Sequence, residues 1–141
     1  MEIRFNTVLK IPHATAQQRR FTAGGNHPTS GMKKAAATWQ ALFEHFAPDM
    51  PFARGVPLKV EIVLCFNGKK LLAPMVTRPD IDNLAKMILD AMTRARFWED
   101  DNQVATLHIT KCIYSSQGDN DIISVKVSEI TEMELTHLRV P

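Results

Sequence analysis

Polar and apolar residues alternate from Glu2 to Ile11, with Ile3, Phe5, Thr7, Leu9 and Ile11 on one face and Glu2, Arg4, Asn6 and Lys10 on the other. A period of two marks a strand with one buried face, so the chain is predicted to open on a strand. Pro12 to Thr29 is rich in Gly, Thr, Gln and Arg and reads as a long polar loop. Apolar residues then return at helical spacing with Met32, Ala36, Trp39, Phe43 and Phe46, behind Thr29 or Ser30 as a cap and with Pro48 beyond the end. The aromatic residues of this helix are assigned to a core rather than to a platform for stacking bases.

Leu58, Val60, Ile62, Leu64 and Phe66 alternate with Lys59, Glu61, Val63 and Cys65, which predicts a second strand, followed by a loop from Asn67 to Thr77. From Pro79 the period becomes helical. At about 100° per residue, Ile81, Leu84, Ala85, Ile88, Ala91, Met92 and Ala95 share one arc, and Asp82, Lys86, Asp90 and Thr93 occupy the adjoining polar sector. Val104 to Tyr114 and Ile122 to Ile130 are β-branched and mostly alternating; the polar residues from Ser115 to Asn120 between them predict a hairpin with a longer turn. The order β-α-β-α-β-β predicts an α+β protein, a single domain over residues 1–141 with helices packed on a mixed β-sheet of about four strands.

Composition narrows the class. With 141 residues, 45% of them hydrophobic, the chain can bury a core without disulfide or metal staples. Cys65 and Cys112 sit inside apolar runs with no CxxC or Cys/His spacing, and read as buried reduced thiols of a reducing compartment. No charged and apolar leader opens the sequence, and no run approaches a membrane span, so a cytoplasmic protein with no membrane partner is expected. Net charge is only +2, but Arg19, Arg20, Lys33, Lys34, Lys69, Lys70 and Arg78 precede residue 81, whereas Glu99, Asp100, Asp101, Asp119, Asp121, Glu129, Glu132 and Glu134 follow it. A basic front half and an acidic back half fit an enzyme acting on nucleic acid, and fit solvated charge equally well.

The candidate chemistry lies in Arg78-Pro79-Asp80-Ile81-Asp82-Asn83-Leu84-Ala85-Lys86, continuing through Asp90-Ala91-Met92-Thr93 to Phe97-Trp98-Glu99-Asp100-Asp101-Asn102-Gln103-Val104. Two aspartates one residue apart can face one hard cation if the first lies on a loop and the second on the first helical turn. Pro79 favours such a junction. Taken alone, Asp80 and Asp82 read as helix caps, worth about 0.5 to 2 kcal/mol. A calcium-binding EF-hand from Asp80 fails, because Ala85 and Ala91 stand where Gly and Glu are required. There is no phosphate-binding P-loop, and His13, His27, His45, His108 and His137 show no ligand spacing.

The stretch from Arg78 to Val104 resembles the RusA family of Holliday-junction resolvases, whose pattern is D-x-D-N-L-x-K, then D-A-L-T or similar, a hydrophobic or aromatic pair, and D-D-x-Q-V or D-D-x-Q-I; here it reads DIDNLAK, DAMT, FW and DDNQV. The resemblance implies an endodeoxyribonuclease, a homodimer that resolves branched DNA, the four-way junction, by paired symmetric nicks in recombination and repair. It implies Asp80, Asp82 and Asp101 as carboxylates for Mg²⁺, with Mn²⁺ as the alternative ion, and Lys86 as the fourth catalytic residue. Lys111 falls where the family often has a basic residue; with Lys86, Arg19, Arg20, Lys69, Lys70 and Arg78 it makes up the expected DNA-binding set. Pro12 to Thr22 departs from the family's Pro-rich loop with Arg and Asn. Two rival classes are a non-cleaving branched-DNA-binding protein and a metal-dependent nucleotide phosphohydrolase.

Reach constrains the site. A helix from Asp82 to Ala95 runs about 20 Å, and six extended steps from Ala95 to Asp101 span about 20 to 22 Å. For Asp101 to meet Asp80 and Asp82, the helix must end early, near Thr93, or Arg96 to Asp100 must run extended along it, or a second subunit must contribute. The first two are expected for the aspartates, and Lys86 is left to either subunit.

Overall fold

A computed structural model describes residues 1–14, 19–22, 25–28, 30–69, 71–115 and 118–133, with backbone alone at 19–22 and 25–28. Strand β1 (Glu2–Leu9) keeps the expected alternation: Phe5 is buried, and Ile3, Thr7 and Leu9 are half-buried. The stretch read as a long loop contains a hairpin, β2 (Arg19–Thr22) paired antiparallel with β3 (Gly25–Pro28), which carries no apolar alternation by which to recognise it. Helix α1 (Ser30–Phe46) starts on Ser30; the alternative cap, Thr29, lies outside the described residues. Strand β4 (Leu58–Asn67) buries Leu58, Val60, Ile62, Leu64 and Phe66. Then come the two-residue strand β5 (Ala73–Pro74), helix α2 (Ile81–Arg94), a 3₁₀ turn at Asp101–Gln103, β6 (Val104–Tyr114) and β7 (Asp121–Glu129).

The main sheet has five strands in the order β1-β7-β4-β6-β5, one more than expected, and two residues of β5 are too few to show a period. The predicted hairpin of β6 and β7 does not form. β4 lies between them, parallel to β6 and antiparallel to β7. Alternation says which face of a strand is buried and nothing about its neighbour. The connection from Ser115 to Asn120 must step over one intervening strand, roughly 10 Å, which six residues span easily. Asp121 fixes that crossing: its Oδ1 accepts from Asn67 N at 2.7 Å and its Oδ2 from Ile11 N at 2.8 Å, closing the ends of β4 and β1.

Both helices cover one face of the sheet. Phe5, Val60, Ile62, Leu64, Ile123, Val125 and Val127 meet Trp39 and Phe43 from α1 and Leu84, Ile88 and Met92 from α2 in one core. Trp39 and Phe43 are fully buried, so the aromatics of α1 are core, as expected. Phe97 and Trp98, also fully buried, belong to the same core. Among the described residues, no helix is long and apolar enough to cross a membrane.

Helix α2 ends in a left-handed reversal. Arg96 has φ +68°, its N–H donates to Thr93 O at 3.1 Å, and Phe97 N–H donates to Met92 O at 3.1 Å. These paired bonds make a Schellman motif, with the buried Phe97 and Met92 as its apolar contact. Glycine fits the left-handed position better than arginine, and the Arg96–Glu99 contact of 3.4 Å is exposed and weak. Arg96→Gly is expected to stabilise the fold by about 0.5 to 1 kcal/mol, read as a rise of about 2 to 4 °C in thermal midpoint.

Cys65 and Cys112 stand opposite each other across β4 and β6 with Sγ atoms 2.7 Å apart, both as free thiols. Burial first, then the hydrogen bond and charge of Cys112, push the Cys65 thiol up to about 12. Iodoacetamide at pH 8 is therefore expected to alkylate the folded protein at least about tenfold more slowly than the urea-unfolded chain, because the thiolate is the nucleophile. Equal rates would contradict this packing of the pair.

Candidate active site

Asp80 precedes α2 with extended backbone (φ −70°, ψ 139°), but its carboxylate makes no capping bond. The helix start is secured by the main chain, with Leu84 N–H donating to Asp80 O at 3.1 Å. Asp80, Asp82 and Lys86 are all exposed. Lys86 Nζ lies 3.8 Å from Asp90, so Asp82, Lys86 and Asp90 form a ladder of alternating charge along one face of α2. The simple capping role weighed for Asp80 is therefore not the one it performs.

Most of the remaining motif residues have structural partners. Trp98 Nε1 donates to Thr93 Oγ1 at 2.8 Å, and Thr93 Oγ1 donates to Leu89 O at 2.8 Å. Asp100 caps the 3₁₀ turn, accepting from Asn102 N at 3.1 Å. Gln103, 6% exposed, accepts from Glu99 N and Asp100 N at 3.0 and 3.1 Å and donates to Ala53 O and Val56 O at 2.8 and 3.2 Å. Of the two adjacent aspartates, Asp100 is thus occupied as a cap and Asp101 projects to solvent. Among the described residues the buried polar side chains are Asn83 and Gln103, both within the motif. Sequence reasoning gave neither a role; a glutamine between polar and β-branched residues was the available signal for Gln103.

The Asp101 carboxyl is pushed up from the ordinary carboxylate range, by desolvation first, then by the hydrogen bond and charge of Asp100 and the charge of Asp90; Lys86 pulls it the other way. The structure therefore brings Asp101 together with Asp90, Asp100 and Lys86. Asp80 and Asp82 stand apart from this group, and among the described residues no three His, Cys, Asp or Glu side chains are gathered to hold a metal ion. The helix does end early, at Arg94, but Arg96 turns the chain rather than extending it along α2.

Lys111, half-buried on β6, donates from Nζ to Thr77 O at 2.6 Å and to Pro79 O at 2.8 Å, on either side of the cis Arg78–Pro79 peptide. Lys69 and Arg78 are exposed on the same loop; Lys70 and the side chains of Arg19 and Arg20 lie outside the described residues. A cavity of about 320 Å³ opens beside this loop between His13, Phe66, Lys69, Thr77 and Ile113.

Removing the Gln103 side chain strands buried donors and acceptors under the turn that carries Asp101. Gln103→Ala is expected to destabilise the protein by about 2 to 4 kcal/mol, measured by urea denaturation. A loss below about 0.5 kcal/mol would mean that the turn is held by other contacts.

Residues 11–128 match the family described as Endodeoxyribonuclease RusA. A crossover junction endodeoxyribonuclease of Lactococcus phage r1t is 29% identical over 86 residues, covering 59% of this chain and 63% of that protein, less than two thirds of its length. The crossover junction endodeoxyribonuclease RusA of Escherichia coli strain K12 is 25% identical over 114 residues, covering 81% of this chain and 88% of that protein. A match that begins just after β1 and runs into β7 takes in β4, β5, β6, both helices and every element around the motif. The chain belongs to the RusA endodeoxyribonuclease family.

Proposed function

We propose that the chain is a divalent-metal-dependent endodeoxyribonuclease that resolves four-way DNA junctions as a homodimer. The observation that carries this is the division within the motif: Thr93, Trp98, Asp100 and Gln103 are bonded into the fold, whereas Asp80, Asp82, Lys86 and Asp101 are exposed charges. Exposed carboxylates offer the hard oxygen ligands that Mg²⁺ prefers. The excess negative charge around Asp101 likewise favours a cation.

Asp80, Asp82 and Asp101 would hold Mg²⁺, or Mn²⁺ in its place, which when bound supplies an activated water and positive charge facing the reacting phosphate. Lys86 binds a phosphate oxygen. Its contact with Asp90 is long and exposed, so releasing it costs little. Lys69 and Arg78, exposed on the loop before Asp80, contact flanking phosphates. These contacts carry no base information, so recognition rests on backbone charge and junction shape.

The carboxylate set is completed by a second protomer. Lys111 ties the Asp80 loop to the later part of β6, whereas Asp101 precedes Val104 at its start. About 23 Å of strand separates Val104 from Lys111. A two-fold dimer can set the start of one α2 against the Asp101 turn of the other, and presents two equal sites for two nicks of the same polarity. Branched DNA as substrate puts this work in the cytoplasm, in keeping with two free thiols.

The wild-type protein is expected to nick a synthetic four-way junction in Mg²⁺, and Asp82→Asn to lose about a hundredfold or more of that rate while still binding the junction. Retained turnover in Asp82→Asn would sink the mechanism, and binding without wild-type nicking would identify a non-cleaving junction-binding protein. Co-expressed Asp82→Asn and Asp101→Asn chains should regain single nicks, because one site of each heterodimer is then intact. No recovery would place all three carboxylates of a site in one chain.

A further inference from the structure

We propose that Lys111 is the positioning residue of the Asp80 loop: its ammonium, bonded at once to the carbonyl oxygens of Thr77 and Pro79, fixes the peptide from which Asp80 hangs. The proposal rests on the reading of Asp80 as a metal-binding carboxylate.

At 2.6 and 2.8 Å the two contacts are short, charge-assisted hydrogen bonds, stronger than neutral ones. Their acceptors are two residues apart, so Thr77 to Pro79 wraps around a single cation. The Pro79 carbonyl and the Asp80 N–H belong to one planar unit, and holding the oxygen holds that plane. On the other side, the Asp80 carbonyl accepts from Leu84 N–H in the first turn of α2. The backbone of Asp80 is thereby gripped from both directions, leaving its side-chain torsions as the remaining freedom.

The main chain of the same lysine adds to the grip. Met75 N–H donates to Lys111 O at 3.2 Å, and Pro74 pairs with Cys112 beside it. One position on β6 thus anchors the loop at residues 75, 77 and 79. Lys111 and Lys86 differ in kind: the Lys86 side chain is 66% exposed, its ammonium 3.8 Å from Asp90, whereas Lys111 would have to leave two short bonds to meet a phosphate. Lys111 therefore acts through Asp80 and not on DNA.

The test compares Lys111→Met, which keeps the stem and removes the charge, with Lys111→Arg, which keeps donors and charge. Lys111→Met is expected to speed hydrogen exchange at the Leu84 amide, which is bonded to Asp80 O, by about tenfold. It should also raise the Mg²⁺ concentration for half-maximal single-turnover nicking by about tenfold, as lost outer-shell support does at metal sites. The dissociation constant for a catalytically silent junction complex in Ca²⁺ should stay within about threefold, with an unchanged salt slope. Lys111→Arg should restore both exchange and Mg²⁺ response. Unchanged exchange and Mg²⁺ response in Lys111→Met would overturn the proposal, as would a salt slope reduced by about one, which marks a phosphate contact. If Lys111→Met does not fold, Lys111→Gln, which keeps one donor, takes its place in every measurement. Should the wild-type protein fail to nick the junction, the nuclease reading fails, and the exchange comparison still decides whether the clamp exists.

Discussion

Parallel pairing of β4 with β6 governs where everything else in this protein can be. Two parallel neighbours cannot be joined by a tight turn, so the chain leaving β4 at Asn67 must travel the length of the sheet before entering β6 at Val104. That crossover is residues 68–103, and it contains Asp80, Asp82, Lys86 and Asp101. Its helix lies over the core, and its two ends fall toward opposite ends of β6. The Lys111 bonds pin one end, and the Gln103 bonds pin the other. That Asp80, Asp82 and Asp101 do not gather in a single chain is therefore a consequence of sheet topology.

The motif itself does two jobs. A conventional view would treat the stretch from DIDNLAK to DDNQV as a block of chemistry, yet several of its polar residues serve the fold. Thr93 receives the Trp98 indole, Asp100 caps a turn, and Gln103 sits between two chain segments with all four of its bonds to main-chain atoms. Buried polar groups of this kind are costly unless satisfied, and here they are satisfied. They locate Asp101 within a well-determined turn while desolvation, and then its neighbours Asp100 and Asp90, raise the energy of its ionised form. A position made rigid at the backbone and electrostatically uncomfortable at the side chain is poorly explained by stability alone.

Legibility in the sequence followed the physical source of each feature. β4 was readable because five alternating apolar residues all face one core, and α2 because its polar sector at Asp82, Lys86 and Asp90 stays in solvent. The β6–β7 pairing was misread because strand neighbours are set by connection length and by side chains such as Asp121, which carries no periodic signal. β2 and β3 escaped because Arg19–Thr22 and Gly25–Pro28 carry no apolar alternation in the sequence. At the candidate site, the charged residues are assigned from spacing and family pattern. The reach between Ala95 and Asp101 could be bounded, but its outcome depended on Arg96 adopting a left-handed conformation, for which arginine gives no cue. Lys111 was legible as a basic position and illegible as a clamp, because its partners are main-chain carbonyls.

Local charge then ties substrate to cation. The face built from Lys86, Asp90, Asp100 and Asp101 sets three carboxylates against one ammonium, although the chain as a whole carries +2. A DNA phosphate approaching that face meets repulsion that the overall charge cannot offset, because screening confines each charge to about 8 to 10 Å. The exposed Lys69 and Arg78 lie on the loop ahead of Asp80 and can hold the backbone only alongside this acidic surface. On the proposed reading, a divalent cation bound there would reverse the local sign facing a phosphate, so cation and junction would each favour the binding of the other. Under that linkage the carboxylates would hold a negative field that disfavours phosphate until a cation is bound, and productive contact with DNA would be confined to the loaded site.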